Sequence, residues 1–157
     1  VAGAAALAAL AAAAPARALE PKKTRLPAKE LARLVEADVV EKQFLATANF
    51  DRSLYDEAAT FTDEIDSYTL DKFVKGTSKL FVADRSKVDL TSPVVATDAA
   101  VEFTFREDLC FNIPFKPVVS LSGRVVLTRD PSTGLFTSYR EYWDQTPNEV
   151  VRTARLK

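Results

Sequence analysis

Apolar and polar positions follow two different periods along this chain, and the change between them divides it. Pro27 suits the first turn of a helix, where its missing N–H is not needed. Leu31, Leu34, Val35, Val39 and Leu45 then form a helical stripe, with Glu30, Arg33, Glu41 and Lys42 largely off it, so the pattern predicts a helix from Pro27 to about Ala48. Asp51 is placed to cap a short second helix through Ala58 that turns Leu54 and Tyr55 inward, and a short strand is expected at Thr60–Ile65. Leu70, Phe73, Val74, Thr77, Leu80 and Phe81 recur at three- and four-residue steps, predicting a third helix from Thr69 to about Ala83 despite Gly76 inside it.

After Lys87 the period falls to two. A sheet begins over Lys87–Thr97, and Val101, Phe103 and Phe105 then alternate with Glu102, Thr104 and Arg106. Val119, Leu121, Val125 and Leu127 alternate in the same way with Ser120, Ser122, Arg124 and Thr128. Strand-like runs at Val118–Thr128 and Gly134–Asp144 flank Asp130-Pro131-Ser132-Thr133-Gly134, turn residues that predict an antiparallel hairpin. Pro114 and Pro117 leave Phe111 and Phe115 in a loop or irregular strand, either over the sheet or at a partner contact. Helices followed by strands give an α+β class with a curved antiparallel sheet wrapped over the helices.

Composition narrows the chemistry. A chain of 157 residues fits one domain, and 21 basic against 22 acidic residues, interspersed, leave no nucleic-acid footprint. There is no histidine, which excludes Ser-His-Asp and Cys-His catalysis; any acid–base work would fall to a carboxylate, lysine or tyrosine tuned by burial. Cys110 is the single cysteine, expected to pack beside Leu109 and Phe111, and no metal site or cofactor is expected.

Val1–Ala14 holds only Val, Ala, Gly and Leu, and Ala16-Arg17-Ala18 precedes a change to charged sequence at Glu20. These features predict an export signal over 1–18 cleaved before Leu19, with Val1 not the natural start. A linker at 19–26, a domain at 27–147 and a tail at 148–157 complete the expected division.

The ordered segments Leu54-Tyr55-Asp56-Glu57, Phe61-Thr62-Asp63, Lys79-Leu80-Phe81, Phe115-Lys116-Pro117, Leu121-Ser122-Gly123-Arg124 and Glu141-Tyr142-Trp143 make residues 28–147 resemble the nuclear transport factor 2-like (SnoaL-like) superfamily. Within it the chain is most similar to an uncharacterised plant and algal family, with a domain of unknown function, that is often chloroplast-targeted. The resemblance implies a cone-shaped α+β fold, three N-terminal helices on a curved antiparallel sheet, enclosing a cavity. It also implies a sheet that often mediates dimerisation. It does not imply an enzyme, since such folds also bind ligands and proteins.

Two rows compete for the inner face of the last strand. If Leu135, Thr137, Tyr139, Glu141 and Trp143 point inward, Glu141 becomes a carboxylate raised by burial, with Asp63 or Tyr55 as a second polar group at the mouth. Alternatively Phe136, Arg140 and Tyr142 form the inward row, or Glu141 pairs structurally with Arg124 or Arg106. Asp63, just before Glu64 and Asp66, reads more readily as part of a solvated turn. Tyr55, Asp63, Phe105, Tyr139, Glu141 and Trp143 are the cavity candidates, and Arg106, Phe111, Phe115, Arg124 and Arg140 the interface candidates.

Three functions follow. The leading expectation is a non-catalytic lumenal protein, in the chloroplast thylakoid lumen or, alternatively, exported to a bacterial periplasm. It would dock through its sheet face or the Phe111–Pro117 segment on a protein partner, a second copy or a photosynthetic membrane complex. The others are a carrier of a small apolar ligand, and a cofactor-independent isomerase or lyase using Glu141 or Asp63.

Overall fold

The structure, a computed structural model, describes residues 19–157, so the leader expectation for 1–18 lies outside the described residues. Helix α1 spans Ala28–Val40 and ends at Gln43, whose φ of 55° is left-handed. The Gln43 side chain fixes the break: its amide donates to Val40 O (2.9 Å) and Val88 O (3.0 Å), and its Oε1 accepts from Val88 N (2.7 Å). The single helix expected to run to Ala48 is therefore two, with a short α2 at Phe44–Thr47.

Asp51 does cap, accepting from Ser53 N, but only a single 3-10 turn at Arg52–Leu54 follows. In place of the expected second helix, strand β1 runs over Tyr55–Thr62. Pairing with a strand some eighty residues away overrides the local helical preference. β2 (Ser67–Thr69) turns back antiparallel, and α3 (Leu70–Leu80) starts at Thr69, whose hydroxyl accepts from Lys72 N.

β3 (Lys87–Leu90), β4 (Val95–Ala96), β5 (Ala100–Cys110), β6 (Val118–Arg129) and β7 (Phe136–Trp143) complete one sheet in the order β2-β1-β7-β6-β5-β3, with β4 also on β5. Its pairs are antiparallel apart from β1–β7, which is parallel. The expected hairpin closes through Asp130, whose Oδ1 accepts from Ser132 N and Thr133 N, both at 2.8 Å.

α1, α2 and α3 cover the apolar inner face. Phe44, Phe50, Tyr55, Phe61, Phe73 and Tyr139 form a continuous aromatic cluster there, with Phe61 stacked on Phe73 at 4.3 Å and on Tyr139 at 5.0 Å. Such pairs add about 0.5–1.5 kcal/mol each to the burial of the rings. The linker is a strap: Lys23 N donates to Ser53 O (3.0 Å) and Arg25 N to Thr133 O (2.8 Å). Buried Arg129 clamps the same end through carbonyls of Leu26, Thr97 and Gly134.

Residues 148–157 are more than a tail. A capping box at Thr146 and Glu149 starts helix α4 (Pro147–Arg152), which buries Val150 in the same core. Beyond the end of β7 this segment closes the edge of β6, accepting from Ser122 N, Ser120 N and Val118 N with Gln145 Oε1, Thr153 Oγ1 and Arg155 O.

Candidate functional site

The inner faces of β5 and β7 meet α3 around a cavity of about 290 Å3. Leu45, Phe73, Leu80, Phe81, Leu109 and Trp143 supply its apolar walls, and Asp63, Glu107 and Glu141 its carboxyls. The volume sits at the lower end of small-molecule sites, and the mix of apolar wall and few polar groups is typical of them.

Strand pleating places the two glutamates. On β5 the inward parity Val101, Phe103, Phe105 continues through Glu107 to Leu109. On β7 Tyr139 and Glu141 are buried with Trp143 half-buried, whereas Arg140 and Tyr142 face outward. Phe136 is also buried, because the register with β6 shifts between Thr128 and Arg129.

Between the two strands, β6 presents Gly123 opposite both Phe105 and Trp143. A Cβ there would lie 2.1 Å from Tyr142 O and 3.2 Å from Trp143 Cα, so only glycine permits this approach of β7.

Glu141 is 8 % exposed, and each of its oxygens is held: Oε2 accepts from the Tyr139 hydroxyl and Oε1 from Trp143 Nε1 at 2.6 Å. Desolvation dominates and lifts its carboxyl to about 7, against the two donors, which favour the ionised form. Glu107 is 4 % exposed, and its Oε2 is the one buried side-chain polar atom among the described residues without a hydrogen-bond partner. Desolvation, then the charge of Glu141, then that of Asp63 push the Glu107 carboxyl well above the usual range.

Burial therefore favours the neutral acid form of Glu107, whose Oε2 is left without a partner. Glu141 is poised between acid and base. Burial likewise raises the Tyr139 hydroxyl, with the Glu141 charge adding to it, so it stays protonated and donates.

The other expected site residues fall into separate places. Asp63 lines the cavity, but its Oδ1 also accepts from Ile65 N (2.7 Å) and Asp66 N (2.9 Å), so it shapes the β1–β2 turn at the mouth. Tyr55 and Phe105 lie in the core behind the cavity and do not line it. Tyr139 reaches the site only through Glu141.

Arg124 and Arg140 sit on the outer face, their guanidinium carbons 4.8 and 4.5 Å from the centre of the Tyr142 ring. Neither they nor Arg106 hydrogen-bonds the Glu141 carboxylate; Arg140 pairs with Glu64 at 3.3 Å. Phe111 packs edge-on against Phe81 at 5.3 Å, while Phe115 is free in solvent. Cys110 is buried, its thiol donating to Lys116 O. Among the described residues no three Cys, Asp or Glu side chains cluster in a way that would hold a metal ion.

Glu107 is the residue that sequence reasoning missed. Its signal was a charged residue at the core parity of a long strand, two positions beyond Phe105.

No family model and no curated protein sequence matches the chain. Solved structures do. An LEH-like epoxide hydrolase from M. tuberculosis superposes with a TM-score of 0.57 at 17 % identity, over 80 % of this chain and 92 % of that one. A candidate SnoaL-like polyketide cyclase from Jannaschia sp. CCS1 gives 0.59 at 13 % identity, over 82 % and 94 %. An NTF2-like protein from Burkholderia thailandensis gives 0.57 at 10 % identity, over 81 % and 96 %. Identities this low carry the fold and nothing finer. The α+β cone closed by a curved sheet in this chain is the nuclear transport factor 2-like fold, shared with the SnoaL-like proteins.

Proposed function

We propose that the chain is a cofactor-independent acid–base enzyme that moves a proton on a small, mostly apolar carbonyl compound, as an isomerase or lyase does. One observation carries this reading: a buried, unpartnered carboxyl on Glu107 and a base held by two donors on Glu141 line the same apolar cavity. An unpaired buried carboxyl costs about 1–3 kcal/mol, a cost that a ligand oxygen accepting its proton would offset. The expected docking role draws only on the leader and the family resemblance, so the site favours catalysis over it. The same leader supports an exported or lumenal setting for the activity.

In this mechanism the substrate carbonyl oxygen accepts a hydrogen bond from neutral Glu107. Ionised Glu141 takes a proton from the carbon beside the carbonyl. The C–H electron pair moves into the new C=C bond, the carbonyl π pair moves onto oxygen, and the Glu107 O–H stabilises that charge. Return of the proton to a different carbon completes an isomerisation, with no oxidant or reductant consumed. The apolar walls exclude water, which strengthens the hydrogen bond from Glu107.

The test is deuterium uptake by cyclic ketones in D2O, followed by NMR. Exchange is expected to rise with pH through about 7, as Glu141 ionises, and to fall about 10²–10⁴-fold in Glu141→Gln. Saturable binding with no exchange would contradict the catalytic reading and favour the carrier.

A further inference from the structure

The cavity mouth opens beside a surface that the proposed chemistry does not use. On α3, Lys72, Lys75 and Lys79 recur at i, i+3 and i+7, so they share one side of the helix, and all three are exposed. None of them forms an ion pair among the described residues, and the one acidic residue of the helix, Asp71, is drawn to Arg52. Leu80, 45 % exposed, ends the helix and lines the cavity.

The loop between β5 and β6 is fastened to that end: Asn112 N donates to Leu80 O (2.8 Å) and Asn112 Nδ2 to Lys79 O (3.4 Å). It presents Ile113, 50 % exposed, and Phe115, 86 % exposed. Phe115 and Lys116 both have left-handed backbones, with φ of 67° and 48°. That region is disfavoured for residues other than glycine. Lys116 N donating to Ile113 O, Lys116 Nζ donating to Asn112 Oδ1 and the Cys110 thiol donating to Lys116 O hold the loop in place. In this conformation the Phe115 ring points into solvent.

We propose that α3 and the 112–116 loop form an interfacial docking surface for an anionic lipid bilayer. Phe115, Ile113 and Leu80 enter the headgroup boundary, while Lys72, Lys75, Lys79 and Lys116 meet lipid phosphates. Apolar tips ringed by unpaired lysines match that chemistry, since basic residues are drawn to anionic headgroups while apolar side chains enter the acyl boundary. No described helix is long and apolar enough to cross a membrane. The geometry places the mouth against the bilayer, from which an apolar ligand would enter without passing through water. The docking stands whether or not the cavity is catalytic.

Flotation of the described chain with phosphatidylcholine vesicles, with and without phosphatidylglycerol, tests this. The protein should float with the mixed vesicles, less with phosphatidylcholine alone, and progressively less as salt rises. Ile113→Ser with Phe115→Ser should abolish flotation, and Lys75→Gln with Lys79→Gln should weaken it about fivefold for each lysine. None of these four residues lines the cavity or belongs to the buried core, so circular dichroism and the cooperative unfolding transition should keep their native form in every variant, which reports that each has folded. Wild-type protein left at the bottom of the gradient overturns the proposal. So does equal flotation of the Ile113/Phe115 variant, and a protein partner would then be the surface's occupant.

Discussion

Glu141 shows how burial and hydrogen bonding oppose each other on one carboxyl. Its Tyr139 and Trp143 donors favour the ionised form, so Tyr139→Phe should raise the Glu141 carboxyl above about 7 and shift the acid limb of ketone exchange to higher pH. An unmoved limb would show that the hydroxyl does not act on the base. The same shift bears on stability. A carboxyl raised in the folded state leaves the native protein holding more protons than the unfolded chain between about 4.5 and 7. Stability should therefore fall as pH rises through that window, and the contribution of Glu141 is complete above it. Chemical denaturation of Glu141→Gln across the same range should show a shallower fall, with the remaining slope due to Glu107, which is raised in the same direction. At Phe115 the expected effect has the opposite sign from most surface truncations: Phe115→Gly relieves a left-handed backbone and should raise stability by about 1 kcal/mol while losing vesicle binding.

Single positions also decide whether elements meet correctly. Gly123→Ala would place a methyl against the backbone of β7, and β6 and β7 must part for it to fit. A loss of about 1–3 kcal/mol is expected, with exchange reduced further because Trp143 and Glu141 move with β7; unchanged stability and rate would contradict that close approach. Thr146→Ala removes half of the capping box of α4 and should cost about 1 kcal/mol in chemical denaturation, since α4 carries Thr153 and Arg155 to the far edge of β6.

Elements made by local periodicity were legible from sequence: α3, the alternation of β5 and β6, and the Asp130 turn. The segment 51–62 was not, because its strand exists only through β2 and β7. The inward row of β7 was ambiguous for a related reason. A register shift buries Phe136 and Tyr139, which have opposite parities, so alternation alone could not choose. Glu107 was legible in principle, as the next inward position after Phe105. Reading the apolar row to Leu109 would have exposed the charge within it.

The whole molecule puts its two acids, its apolar walls and its lysine-bearing helix at one end of the cone, while the linker, Arg129 and the Asp130 turn close the other. The outer sheet face, with Tyr142 between Arg124 and Arg140, takes no part in the cavity. The fold raises the Glu107 carboxyl by burial and poises Glu141 near neutral pH in the same cavity. Carbon-13 NMR titration of glutamate side-chain carboxyls tests it without any substrate. One carboxyl should titrate near 7 and be lost in Glu141→Gln, and a second should titrate well above the ordinary carboxylate range and be lost in Glu107→Gln. Two carboxyls ionising together in the ordinary range near 4.5 would contradict it.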